Sequence, residues 1–248
     1  MLLATRAIVL TTRAYNDQFA IAHLLTEEEG VIAYRIPHAP RGRSRRSGKY
    51  LLQRMMNPLA ELAITAEHRP QRSLQQIEQA EYHKLNLNLL LYEPHKVHIA
   101  FFLAEALYHI LRNAPADPEV YRYISHGIAQ LEETKNSCAN FHIAFFLGLL
   151  DPLGIFPTHL LDEEPKGWFN LKEVAFVPYN PHNGYSLSPE EVGALTKIRR
   201  INYNNMHLFR FTREERKRTL TYLLDYIKLH YAPIGELSSP AILAHLYR

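Results

Sequence analysis

The chain has a single cysteine, Cys138, in 248 residues. One thiol cannot form an intramolecular disulfide or a cysteine-built zinc site. The lack of a disulfide framework fits a reducing compartment, and the cytoplasm is the expected location. Long apolar runs are also missing. The most hydrophobic stretch, Phe141 to Leu150, contains His142 and is too short to span a bilayer. Met1 to Arg13 lacks the apolar core of a signal peptide, so no membrane association is expected. Phosphate-cradling glycine loops, Gly-x-Ser-x-Gly elbows and HExxH are absent. No repeat or low-complexity tract occurs. Nothing in the sequence points to an enzyme or to a bound cofactor.

Apolar residues make up 47% and charged residues 21% of the chain, enough to bury a core and to exclude global disorder. The length suits two domains. The formal net charge is only +3, but its distribution is uneven. Arg41, Arg43, Arg45, Arg46, Lys49 and Arg54 lie within one short segment that holds no acidic residue. Like charges at this spacing repel one another unless a polyanion relieves them, which favours a nucleic-acid partner over a merely flexible basic loop. A second cluster, Lys197, Arg199, Arg200, Arg210, Arg213, Arg216, Lys217 and Arg218, suits an extension of a DNA track or an acidic peptide. It equally suits a solvated helix face partly neutralised by Glu214 and Glu215.

Short, branched, apolar segments at Thr5–Leu10 and Phe19–Leu25 predict two antiparallel strands joined by a turn at Ala14–Asp17. Glu27–Gly30 predicts a second turn, and Val31–Ile36 a third strand closed by Pro37. A fourth strand is expected to begin at Leu51 and run to Thr65, with Pro58 marking an edge, a bulge or a break. Ser73–Tyr82 fits a helix or a strand and is assigned as a strand because a five-stranded barrel needs closing. After Tyr82 helical periodicity takes over. Helices are expected from Pro94 to Arg112, with Val97, Phe101, Ala104, Leu107, Tyr108 and Leu111 on one face, and from Asp117 as N-cap, with Val120, Ile124, Ile128 and Leu131 apolar. Asn140–Leu150 is expected to form the centre of the domain. Further helices are predicted from the Ser188 capping box, over Thr212–Tyr231 and over Ser239–Tyr247. The stretch 157–189 predicts an irregular loop with one hairpin near Trp168–Val177. The expected fold is α+β: an OB-fold β-barrel over 1–83, then an all-α helical domain over 84–248.

The runs Ala7-Ile8-Val9-Leu10, Thr12-Arg13, Tyr15-Asn16-Asp17 and Leu24 to Val31 resemble the opening of the RecO family of recombinational repair mediators. Ala39 to Ser44 resembles its small basic loop. Phe101-Leu103-Ala104-Glu105, Phe145 to Leu150 and Leu153-Gly154-Ile155-Phe156-Pro157 are similar to its helical segments and its Leu-Gly-x-x-Pro turn. Tyr226 to His230 and Leu237 to Pro240 are similar to its closing segments. The order of many weak matches over most of the chain carries the identification. Many members have paired CxxC motifs just after the turn; here 157–189 contains no cysteine, so no zinc site carries over, and Trp168–Leu171 is expected to replace the metal by apolar packing. The resemblance implies binding of single- and double-stranded DNA, strand annealing, and engagement of the acidic tail of single-stranded DNA-binding protein. It also implies cooperation with RecR in loading RecA, with no ATP or metal required.

An OB-fold that holds a single strand needs positive charge for the backbone and aromatic faces for bases. The candidates for DNA contact are Arg13, Arg35, Arg41, Arg43, Arg45, Arg46, Lys49 and Tyr34, with Tyr15, Phe19 and Tyr50 nearby. Core packing is the competing use of each aromatic. Arg199, Arg200, Arg213 and Arg216 are candidates for the acidic partner tail. His95 and His98 lie three apart on a predicted helix, but no third ligand falls at a metal-binding spacing. Two other functions fit less of the sequence: an OB-fold RNA-binding factor, and a histidine-dependent hydrolase without a recognisable motif.

Overall fold

The computed structural model describes residues 2–38, 48–69, 71–83, 93–157, 167–235 and 237. The element order is β1 (Leu2–Ala14), β2 (Phe19–Thr26), β3 (Gly30–Pro37), α1 (Gly48–Met55), β4 (Glu61–Glu67), β5 (Gln75–Tyr82), α2 (Pro94–Leu111), α3 (Pro118–Glu133), α4 (Phe141–Leu149), β6 (Trp168–Asn170), β7 (Ala175–Val177), β8 (Ser186–Leu187), α5 (Pro189–Ile198), a 3-10 turn (Met206–Leu208) and α6 (Arg213–His230).

The first five strands close a barrel in the order β1-β2-β3-β5-β4. Alternation places Ala7, Val9, Ala20, Ala22, Leu24, Tyr34, Ile36, Leu62, Ile64 and Ala66 in one inner core. The seam is the parallel pairing of β3 with β5, in which Tyr34 lies opposite Gln75 and Arg35 opposite Gln76. A bulge between Val9 and Thr11 bends β1, as barrel closure requires.

The fourth strand differs from its sequence expectation. Residues 51–55 are helical, and β4 begins only at Glu61. Leu52, Met55 and Met56 recur at helical spacing and pack against the barrel core, so burial of that stripe decides in favour of helix. Pro58 stands in the turn between α1 and β4.

By contacts the chain forms two compact units that divide after Glu133; the barrel strands themselves end at Tyr82, where the sequence changes character. In the first unit α2 packs on β1 and β3. Its buried face is broader than the periodicity predicts: Ile99, Phe102 and Leu103 are buried, whereas Phe101 is half exposed. Asp117 caps α3, its carboxylate accepting the Glu119 and Val120 amides at 2.8 and 3.3 Å. Glu61 of β4 is buried and accepts the Ser125 hydroxyl at 2.9 Å and the Tyr121 hydroxyl at 3.4 Å, tying barrel to α3. Lys96 is buried as well, its ammonium donating to the Glu132 carbonyl and the Glu93 carboxylate at 3.0 Å each.

In the second unit α4 is buried nearly all round and packs on α6. Within 157–189 the described residues form a three-stranded sheet in the order β7-β6-β8, one strand more than the predicted hairpin. Phe169 and Leu171 are buried there, and the Phe169 ring meets Phe176 edge-on at 5.2 Å. Apolar packing thus occupies this stretch among the described residues. Ser188 and Thr212 form full capping boxes for α5 and α6. The helix expected over Ser239–Tyr247 lies outside the described residues.

Candidate nucleic-acid interface

Strand pairing fixes the geometry of the outer barrel face. Arg13 of β1 lies opposite Ile21 of β2, Ile21 opposite Arg35 of β3, and Arg35 opposite Gln76 of β5. Directly opposed residues share a face, so Arg13, Ile21, Arg35 and Gln76 form one row across four strands. Both arginines are exposed, and among the described residues neither has a carboxylate within ion-pair distance.

Phe19, two residues before Ile21, stands on the same face. The Arg35 guanidinium lies over its ring at 4.6 Å, and the exposed Tyr15 ring stacks on it at 5.1 Å. The β1–β2 turn holds this group in place. The Asn16 side chain accepts the Gln18 and Phe19 amides at 2.9 and 3.1 Å, and the His38 ring bonds the Asn16 carbonyl at 3.1 Å.

Beyond Ile21 the same face continues to His23, which meets the Thr11 hydroxyl at 3.2 Å and packs against the Tyr108 ring at 4.7 Å. Burial, reinforced by the Arg13 charge, holds the His23 imidazole below its ordinary value. His109 is lowered by burial and then by Arg112, with Glu105 acting the other way and Arg13 adding to the lowering. Both imidazoles therefore favour the neutral form, and the cations at this edge are Arg13 and Arg112.

The predicted site residues separate into three groups. Arg13 and Arg35 are brought together, with Phe19 and Tyr15. Tyr34 is 1% exposed and belongs to the barrel core, with burial pushing its hydroxyl far up; strand alternation turns it inward, so it offers no face to a base. Arg41, Arg43, Arg45 and Arg46 lie outside the described residues, as does the Lys49 side chain. Of the second cluster, Arg199 and Arg200 follow the C-terminus of α5 and Arg213 starts α6, all exposed. Arg216 is half-buried and donates to the Phe211 carbonyl at 2.7 Å, which gives it a structural use. In the same unit an apolar cavity of about 80 Å³ is lined by Leu150, Phe169, Val192, Leu223 and Tyr226, with Arg199 among its lining residues.

The Tyr15–Phe19 stack was legible only as nearby aromatics, because its shared face depends on register. His98 bonds its own helix through the Pro94 carbonyl at 2.5 Å, and no cluster of metal-binding residues occurs among the described residues.

A closed five-stranded barrel with a helix between its third and fourth strands, an outer row of arginines and stacked aromatics, followed in the chain by a helical region, is an OB-fold protein suited to a polyanionic strand. Residues 1–86 match the family described as Recombination protein O N terminal, and residues 91–239 match Recombination protein O C terminal. The chain is 40% identical over 250 residues to DNA repair protein RecO of Porphyromonas gingivalis, and 34% identical to those of Phocaeicola vulgatus and Bacteroides fragilis over 247 and 250 residues; each alignment covers 100% of both chains. The chain belongs to the RecO family of DNA repair proteins.

Proposed function

We propose that this protein is a non-enzymatic mediator of recombinational repair that holds single-stranded DNA on the outer face of its barrel. The observation that carries the reading is the row Arg13–Ile21–Arg35 beside the Phe19–Tyr15 stack. Guanidinium groups neutralise phosphates, and exposed rings give bases a stacking platform regardless of sequence. The basic segment Arg41–Lys49 supplies further positive charge for a polyanion. Duplex DNA shares the phosphate chemistry, and two strands held this way can be annealed.

The apolar cavity beside Arg199 supports docking of the acidic tail of single-stranded DNA-binding protein, since an apolar side chain with an adjacent carboxylate matches an apolar pocket with one cation at its wall. In this reading the protein works with RecR in the cytoplasm to load RecA on coated DNA, without nucleotide or metal.

The test is fluorescence anisotropy with a labelled single-stranded oligonucleotide at several salt concentrations, for the parent and for Arg13→Gln/Arg35→Gln. The double variant should bind more weakly, with a log–log salt slope shallower by about 1.4, two contacts at about 0.7 each. An unchanged slope in the folded variant would sink the barrel-face assignment. Competition with an RNA of the same sequence separates a DNA mediator from an RNA-binding factor, which should read the 2′-hydroxyl.

A further inference from the structure

The cationic face does not stop at the barrel. A cleft of about 500 Å³ opens where the β4–β5 connection and β3 meet the C-terminal end of α2, lined by His23, His68, Arg72, Tyr108, Arg112 and Asn113 among others, with no acidic residue in its lining. Arg72 and Arg112 are both exposed. Among the described residues neither guanidinium has a carboxylate within ion-pair distance. Glu67, the last residue of β4, is engaged by Arg69 in a hydrogen-bonded pair, with the Arg72 charge adding a weaker pull.

The cleft is built rather than incidental. Gln75 is 5% exposed, and its amide accepts the Arg69 N–H at 2.8 Å while donating to the Arg69 and Arg72 carbonyls at 3.0 and 2.7 Å. A buried side chain therefore fixes the backbone that carries Arg72. The opposite wall is fixed by the His23–Tyr108 ring contact. Register makes the cleft continuous with the arginine row, because His23 pairs with Ala33, two residues along from the Ile21–Arg35 pair.

We propose that this cleft is a second phosphodiester-binding site, at which a strand leaving the barrel face passes between Arg72 and Arg112 over the end of α2. The inference rests on the barrel-face reading and extends the strand's path beyond the OB-fold onto the helical segment. An arginine at a helix C-terminus interacts favourably with the helix dipole without any ligand, so the test separates charge on the ligand from charge on the helix.

The experiment titrates the full chain against thymidine oligonucleotides of increasing length at several salt concentrations. It compares the parent, Arg72→Gln/Arg112→Gln, Arg72→Lys/Arg112→Lys and Arg13→Gln/Arg35→Gln. On long oligonucleotides the Arg72/Arg112 glutamine variant should lose about 1.4 in salt slope, and the lysine variant should restore it. Oligonucleotides short enough to occupy the barrel row alone should bind the glutamine variant as they bind the parent. An unchanged slope for the Arg72/Arg112 glutamine variant, with a reduced slope for the Arg13/Arg35 variant, would overturn the cleft and leave the barrel reading standing. Unchanged slopes for both would overturn the barrel reading and the cleft with it.

Discussion

His142 lies within α4, fully enclosed, and burial together with the Arg216 charge holds its imidazole down to about 3. Unfolding returns it to about 6.5. Between those values the unfolded chain binds the proton and the folded chain does not, so stability is fully present above about pH 6.5 and is lost as pH falls towards 3. Urea titrations at pH 7 and pH 5 should show a drop in stability that shrinks in His142→Gln; an equal drop in both proteins would remove His142 as the cause. Glu61 makes a different demand. Glu61→Ala leaves the Ser125 and Tyr121 hydroxyls without their acceptor, and each buried unsatisfied group costs about 1–3 kcal/mol; denaturant midpoints should fall accordingly. At this scale residue types are legible from the sequence, whereas the face each presents is not. Tyr34 and Arg35 are adjacent and were both candidates for DNA contact, yet one is core and the other surface. Parity along β3 decides between them, and parity needs the register.

Among the elements, capping signals were the most legible, because a cap is a local interaction: Asp117 and Ser188 each bond the first turn that the sequence predicts for them, and Thr212, expected only as the start of a helix, forms a capping box as well. Helix α1 was not legible, since Leu51, Leu52, Met55 and Met56 fit a buried strand nearly as well as an amphipathic turn. Only packing against the barrel distinguishes the two. The small sheet of β6, β7 and β8 was half legible, as β8 has two residues and owes its existence to its partner β6. Gly167, just before β6, has φ +88, and a Cβ there would come within 2.5 Å of the Val177 carbonyl oxygen. Gly167→Ala should therefore lower the melting temperature by several degrees, since both the backbone angle and the β6–β7 pairing must give way. A melting curve superimposable on the parent's would show that the hairpin's start is not as constrained as described.

For the whole molecule, a net charge of +3 conceals the contrast that matters. The first unit carries Arg13 and Arg35 on the barrel face and Arg72 and Arg112 in the adjoining cleft, and the second carries an apolar cavity with Arg199 in its lining. Two such chemistries should be separable. Arg199→Glu should weaken binding of an acidic C-terminal peptide of single-stranded DNA-binding protein at least several-fold while leaving oligonucleotide affinity within about twofold, measured by anisotropy with each labelled ligand. Parallel losses in both assays would argue against separate sites.

The seam of the barrel has a mechanical meaning. Only two residue pairs join β3 to β5, far fewer than at the other strand junctions, and one of them involves Gln75, whose amide also clamps the connection bearing Arg72. The arginine row crosses this junction from Arg35 to Gln76. A strand lying along that row would bridge the thinnest part of the wall like a clasp across a bracelet, and cargo and container would hold each other shut. Backbone amides on either side of the junction should then exchange with solvent more slowly in the loaded protein than in the empty one.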